Sequence, residues 1–102
     1  MYLIQILLPV RDNDGRAFAR AELDAVRREL TERFGGATAY LQAPAAGLWK
    51  GGDGELERDE IVIVEAMAPR LEREWWRRYR EELERRFRQQ EIVVRCTRCE
   101  KL

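Results

Sequence analysis

The chain moves between two hydrophobic rhythms. Tyr2 to Val10 (YLIQILLPV) is apolar almost throughout, with Gln5 as its one strongly polar member, and fits a strand covered on both faces. Arg11 to Gly15 (RDNDG) is a turn cluster. From Arg16 to Phe34 the rhythm becomes helical. Phe18, Leu23, Val26, Leu30 and Phe34 recur as one buried stripe. Asn13 or Asp14 is expected to cap this helix, because a side-chain oxygen there accepts a free amide hydrogen of the first turn. Gly35-Gly36 is expected to end it. Ala37 to Ala43 (ATAYLQA) predicts a second strand, and Pro44 to Gly47 (PAAG) interrupts it. Leu48-Trp49-Lys50 resumes pairing ahead of a Gly51-Gly52-Asp53-Gly54 turn. The third strand is expected from Glu57 to Met67, centred on Ile61 to Val64 (IVIV). Pro69 suits the first turn of a second helix, where its missing amide hydrogen costs nothing. Leu71, Trp75, Trp76, Tyr79, Leu83 and Phe87 carry that helix to Arg88, and Glu91 to Thr97 (EIVVRCT) is the last strand.

The order β-α-β-β-α-β contains two interleaved β-α-β crossovers. If both are right-handed, they give an antiparallel sheet in the order 4-1-3-2 with both helices on one face. The expectation is an α+β fold of ferredoxin-like architecture, one domain spanning residues 1–102. Alternation along the strands assigns two faces. Ile4, Ile6, Leu8, Ala39, Leu41, Val62, Val64, Ala66, Ile92, Val94 and Cys96 turn toward the helices. Leu3, Gln5, Leu7, Thr38, Tyr40, Gln42, Ile61, Ile63, Glu65, Met67, Val93 and Arg95 turn away. This second set is too apolar for a wetted surface, and such a patch marks a partner or a ligand. A hairpin regular about Gly52-Asp53 puts Tyr40 opposite Glu65, so a polar row Tyr40–Glu65–Gln5–Arg95 is expected to cross the face. Two readings of that row stand. It is a polar cluster inside a homodimer interface, or it belongs to a ligand pocket formed by Gln5, Tyr40, Trp49, Glu65 and Arg95. On the interface reading, Ile63→Lys places a charge in the contact and breaks it.

Composition narrows the function more than it names it. The 102 residues hold 19 basic and 19 acidic side chains, a formal net charge of zero, so no global field steers the chain to nucleic acid or anionic lipid. No apolar run approaches the ~20 residues that span a bilayer, and the first ten read as a strand rather than a leader, so a cytoplasmic protein with reduced thiols is expected. There is no histidine and no recognisable catalytic motif. Cys96-Thr97-Arg98-Cys99 is a C-x-x-C pair. It supplies two of the four ligands zinc takes, so a metal site needs two chains. It also lacks the following helix that lowers the thiol pKa in redox sites. Packing cysteines, a shared metal site and a thiol site all stay open. No cofactor is expected.

The β-α-β-β-α-β pattern, together with Phe34-Gly35-Gly36-Ala37-Thr38-Ala39-Tyr40 and Pro44-Ala45-Ala46-Gly47-Leu48-Trp49, resembles small uncharacterised bacterial proteins of ferredoxin-like, dimeric α+β barrel type. That resemblance implies a homodimer made by pairing two open sheet faces. Many relatives of this type are small-molecule enzymes or haem binders, several of them dependent on histidine, which this chain lacks. The turn Asp12-x-x-Gly15 between the first strand and first helix is similar to that of the amino-acid-binding ACT regulatory domains, and that similarity implies ligand sensing there.

Other features point to structure. Gly51 to Gly54 leads into a strand, whereas phosphate loops open helices. Asp12-Asn13-Asp14-Gly15 lacks the first and last ligands of a calcium loop, since Val10 and Ala21 stand there. RNA-recognition modules share the element order but stack bases on central-strand aromatics, and Leu3 to Ile6 and Ile61 to Val64 offer none. Of Trp75-Trp76, one indole is expected against the sheet and the other at the helix margin. The expected protein is a non-catalytic binding or assembly homodimer. A dimeric-barrel small-molecule binder or cofactor-independent enzyme is the alternative.

Overall fold

The computed structural model describes residues 1–42 and 61–102. Among the described residues, four strands and two helices follow in the order β1 (Tyr2–Pro9), α1 (Arg20–Phe34), β2 (Thr38–Gln42), β3 (Ile61–Ala68), α2 (Arg73–Arg86) and β4 (Val93–Arg98). The sheet is antiparallel with order β2-β3-β1-β4. This is the α+β, ferredoxin-like architecture. The expected interruption at Pro44, the Gly51 to Gly54 turn and Trp49 lie outside the described residues.

One face of the sheet meets both helices. Ile4, Ile6 and Leu8 of β1 and Val64, Ala66 and Ala68 of β3 pack with Val26 and Leu30 of α1 and with Trp76, Tyr79 and Leu83 of α2. Every second residue of β1 is buried, as a pleated strand under a helical layer requires. Each fully buried aliphatic side chain here contributes roughly 1.5–3 kcal/mol of transfer free energy. The edge strands are less covered. Ala39 of β2, expected under the helices, is exposed, and Cys96 of β4 is exposed although it turns to the helix side. Both sit on the edge strands of the sheet.

The two tryptophans divide as expected. Trp76 is buried and Trp75 half-buried. The Trp76 ring stacks on Phe34 with centroids 5.3 Å apart, and Trp75 stacks on Tyr79 at 4.9 Å. Arg33 lies over Trp75 at 4.2 Å and pairs with Glu72 at 2.6 Å, tying the end of α1 to the start of α2.

Both helices start later than the apolar stripes suggest. The helix N-cap of α1 is Ala19, with no side-chain cap bond. Asp12, and not Asn13 or Asp14, organises the preceding segment. Its Oδ1 accepts the backbone N–H groups of Asp14 and Arg16, each at 2.9 Å. Gly15 turns the chain at φ +82°, and Phe18 donates its N–H to the Val10 carbonyl. Residues 11–17 therefore fold back on themselves, with a bridge between Arg11 and Ala17, before α1 begins. Phe18 reaches the core from this loop and meets Phe87 edge-on at 5.0 Å. In α2, Pro69 and Arg70 form a bend, and helix starts at Arg73. At the other end of α1, Gly35 occupies the left-handed cap (φ +84°) and donates to the Thr31 carbonyl.

Candidate functional site

The face turned from the helices is built from rows that the strand register fixes. Ile63, Leu7 and Val93 are neighbours across β3, β1 and β4. Glu65, Gln5 and Arg95 form the next row, and Met67, Leu3 and Thr97 the one after. A polar row thus lies between two largely apolar ones. The β2 register corrects its fourth member. Thr38 stands opposite Glu65, and Tyr40 stands opposite Ile63, two residues from the expected place. The prediction assumed an unbroken hairpin about Gly52-Asp53, and the observed pairing does not have that register.

The polar row is joined by hydrogen bonds. Arg95 Nε donates to Gln5 Oε1 at 3.0 Å, and Gln5 Nε2 donates to Glu65 Oε2 at 2.9 Å. The Gln5 amide is oriented by its charged neighbours, carbonyl toward the guanidinium and NH2 toward the carboxylate. Of the five residues expected to form a pocket, the structure brings Gln5, Glu65 and Arg95 together. Tyr40 lies one row away on β2, and Trp49 is outside the described residues.

The apolar members differ in cover. Val93 is 46% exposed and Met67 40%, while Leu3 and Leu7 are half-buried. Ile63 is only 1% exposed, although it belongs to this face and not to the helix-side core cluster. It is covered within one copy and is not part of the free surface. Two clefts flank the row. One of about 700 Å³ lies at the Asp12 turn, where Leu7, Pro9, Ile61 and Val93 meet Arg11 and Asp12. The other, of about 650 Å³, lies at the opposite end, where Leu3, Thr38, Glu65 and Met67 meet Lys101. Asp12 is held as the carboxylate. The backbone hydrogen bond from Arg16, helped by that from Asp14 and by Arg88 at 3.6 Å, keeps its pKa below the ordinary value against the effect of burial.

On the helix side, a groove of about 240 Å³ between α2 and β4 is lined by Ile4, Trp76, Arg73, Arg77, Arg80 and Cys96 among others. Two of these arginines are already engaged, Arg77 with Glu74 and Glu81, and Arg80 with Glu84. Trp76 Nε1 is buried with no hydrogen-bond partner among the described residues.

The cysteine pair is split by the strand. β4 runs to Arg98, with Thr97 paired to Leu3 and Arg98 to Tyr2, and Cys99 then donates its N–H to the Met1 carbonyl. Three extended steps separate the two Cα atoms by roughly 10 Å, beyond the ~7 Å that a disulfide bridges. Both thiols are free. Among the described residues, no group of three or more His, Cys, Asp or Glu side chains is placed to hold a metal ion.

Two carboxylates that pattern reading passed over have structural work. Glu29 of α1 accepts from Tyr79 Oη at 2.7 Å and from Arg86 Nη1 at 2.8 Å, joining the two helices. Glu84 accepts from Arg80 and from the Ile92 backbone N–H at 3.0 Å, holding the approach to β4. Their only signal in the sequence was a place on the flank of each apolar stripe. Among the described residues no helix is long and apolar enough to cross a membrane. Compared with protein-family models, with curated proteins and with solved structures, the chain finds no match.

Proposed function

We propose that this protein is a cytoplasmic assembly module without chemistry of its own, acting as a homodimer through the face its helices leave open. The observation that supports this is the apolar surface around the Glu65–Gln5–Arg95 row, with Val93 and Met67 exposed and Leu3 and Leu7 half-exposed beside them. An apolar surface interrupted by one hydrogen-bonded polar row is costly to leave in water and suits a specific contact. Light scattering coupled to gel filtration tests it. Wild-type protein is expected to run as a dimer, and Val93→Lys as a monomer with unchanged circular dichroism, since the native Val93 side chain already reaches solvent. Ile63→Lys is a poor probe because that side chain is buried in a single copy. A Val93→Lys protein as dimeric as wild type removes this face from the interface.

The cleft that Glu65 lines with Thr38 and Met67 favours a second reading, in which a small molecule lies at the same interface against Glu65, with Gln5, Arg95, Tyr40 and Trp49 as further contacts. Native mass spectrometry separates the two. A bare dimer supports assembly alone, and a dimer carrying stoichiometric extra mass supports the binder.

A further inference from the structure

The Glu65–Gln5–Arg95 row carries more information than its polarity. β1 lies between β3 and β4, so Glu65 and Arg95 stand one strand to either side of Gln5, each about 4.8 Å from it. The row is therefore a symmetric arm with a negative end, a neutral centre and a positive end. Two such rows brought face to face by a two-fold axis have two simple arrangements. With the axis running across the strands, Glu65 faces the partner's Glu65 and Arg95 faces the partner's Arg95. With the axis running parallel to the strands above Gln5, β3 lies over the partner's β4, so Glu65 faces the partner's Arg95 and Arg95 faces the partner's Glu65.

We infer that the open face docks on a second copy of this chain with the two-fold axis parallel to the strands over Gln5, exchanging Glu65–Arg95 pairs between copies. This rests on the assembly reading above and fixes its geometry. Charge decides first, because like charges set against each other in a contact cost far more than matched ones. The apolar rows agree. Under the same axis Leu7 meets the partner's Leu7, and the Met67–Leu3–Thr97 row meets its own copy, so the polar row never lies over an apolar one. Sheets packed about 10 Å apart leave a glutamate and an arginine within reach of each other. The Gln5 amide already points its carbonyl at Arg95 and its NH2 at Glu65, which holds both charged ends in place in each copy.

The test is a charge-swap cycle read by sedimentation equilibrium, with circular dichroism as the check on folding. Arg95→Glu alone and Glu65→Arg alone each set like charges together twice, once on each side of the axis. Each is expected to raise the dimer dissociation constant at least about tenfold. The double variant restores the opposite order, with the Gln5 amide rotated, and is expected to return to within about threefold of wild type. Arg95 is exposed on an edge strand, so its reversal leaves the fold intact. Should Glu65→Arg fail to fold, Leu7→Cys in a Cys96→Ser/Cys99→Ser background gives the same answer. Leu7 lies under the axis, so a bismaleimide of about 10 Å should link it to the partner's Leu7→Cys, whereas the other axis puts the two more than a sheet spacing apart. Wild type that stays monomeric at the highest concentration reached ends the assembly reading and the axis with it. A wild-type dimer that Arg95→Glu leaves equally tight, or that Leu7→Cys does not cross-link, keeps the assembly and overturns the axis.

Discussion

Glu29 shows how one side chain can tie two helices together while leaving a trace in the acid stability of the fold. Burial alone works to raise its pKa, but the hydrogen bonds from Arg86 and Tyr79 outweigh it and hold the carboxyl below the ordinary value of 4.5. The phenol responds in the opposite sense, since burial and the neighbouring carboxylate push the Tyr79 pKa up. A carboxylate with a depressed folded pKa adds stability that is present above its unfolded pKa and lost as the pH falls through the folded value. Glu29→Gln keeps an acceptor for Tyr79 and removes the charge that pairs with Arg86. It should lower stability at pH 7 by about 1 kcal/mol, a modest figure because the pair is partly solvated. The difference from wild type should shrink at an acid pH below the depressed folded value, where wild-type Glu29 also loses its charge. Urea unfolding at both pH values measures this. An equal loss at both would assign the effect to the Tyr79 hydrogen bond and not to the charge. Ile63 makes a related point about single residues. Strand alternation placed it on the open face, and the β1–β3 register keeps it there, yet it is buried. Periodicity reports which face a side chain takes and says nothing of what covers that face.

At the level of elements, the sequence was most legible where one hydrophobic rhythm ran without interruption. The expected start of β3 at Glu57 lies outside the described residues. Both ends of β1 and the far end of β3 came out within one residue of expectation, because apolar runs buried on one face specify both strand and register. The starts of the helices did not, and the reason is local. Asp12 closes a turn by accepting two backbone N–H groups, so residues that share the helical spacing, Phe18 among them, enter the core from a loop. Side-chain to backbone bonds of this kind compete with the helix, and hydrophobic spacing does not register them. The Glu65–Gln5–Arg95 part of the candidate site was legible because alternation along β3, β1 and β4 is unambiguous. Tyr40 was placed wrongly because its register depended on a turn and an interrupted segment, where one inserted pair of residues shifts every partner. The C-x-x-C pair was legible as a spacing but not as a geometry, since the same spacing brings two sulfurs together on a turn and holds them apart on a strand. Oxidised glutathione added to native protein should therefore yield mixed or intermolecular disulfides and no bridge between Cys96 and Cys99. The internal bridge should form once denaturant frees the end of β4. Intact mass under non-reducing conditions distinguishes the two, and rapid internal bridging in the native state would mean that β4 does not stay paired through Arg98.

For the whole molecule, the balance of charge and the unequal cover of the two sheet faces lead to the same expectation. Equal numbers of acidic and basic residues leave no net repulsion between copies, so the apolar rows and the order of charge along the polar row are free to govern association. A protein whose folded copies associate, and whose unfolded chains do not, gains apparent stability with concentration by mass action. The midpoint of thermal unfolding should then rise by several degrees over a hundredfold increase in wild-type concentration, as two-state scaling for a domain of this size allows. In Val93→Lys it should be nearly independent of concentration. The contrast carries more weight than either curve. A substitution that merely weakened the fold would lower the midpoint at every concentration and leave its slope unchanged. Loss of the interface removes the slope itself, because the dimer is what couples folding to concentration. If wild type shows no concentration dependence, the apolar face of one copy is stable in water without a second, and the proposed association is not part of how this protein holds its fold.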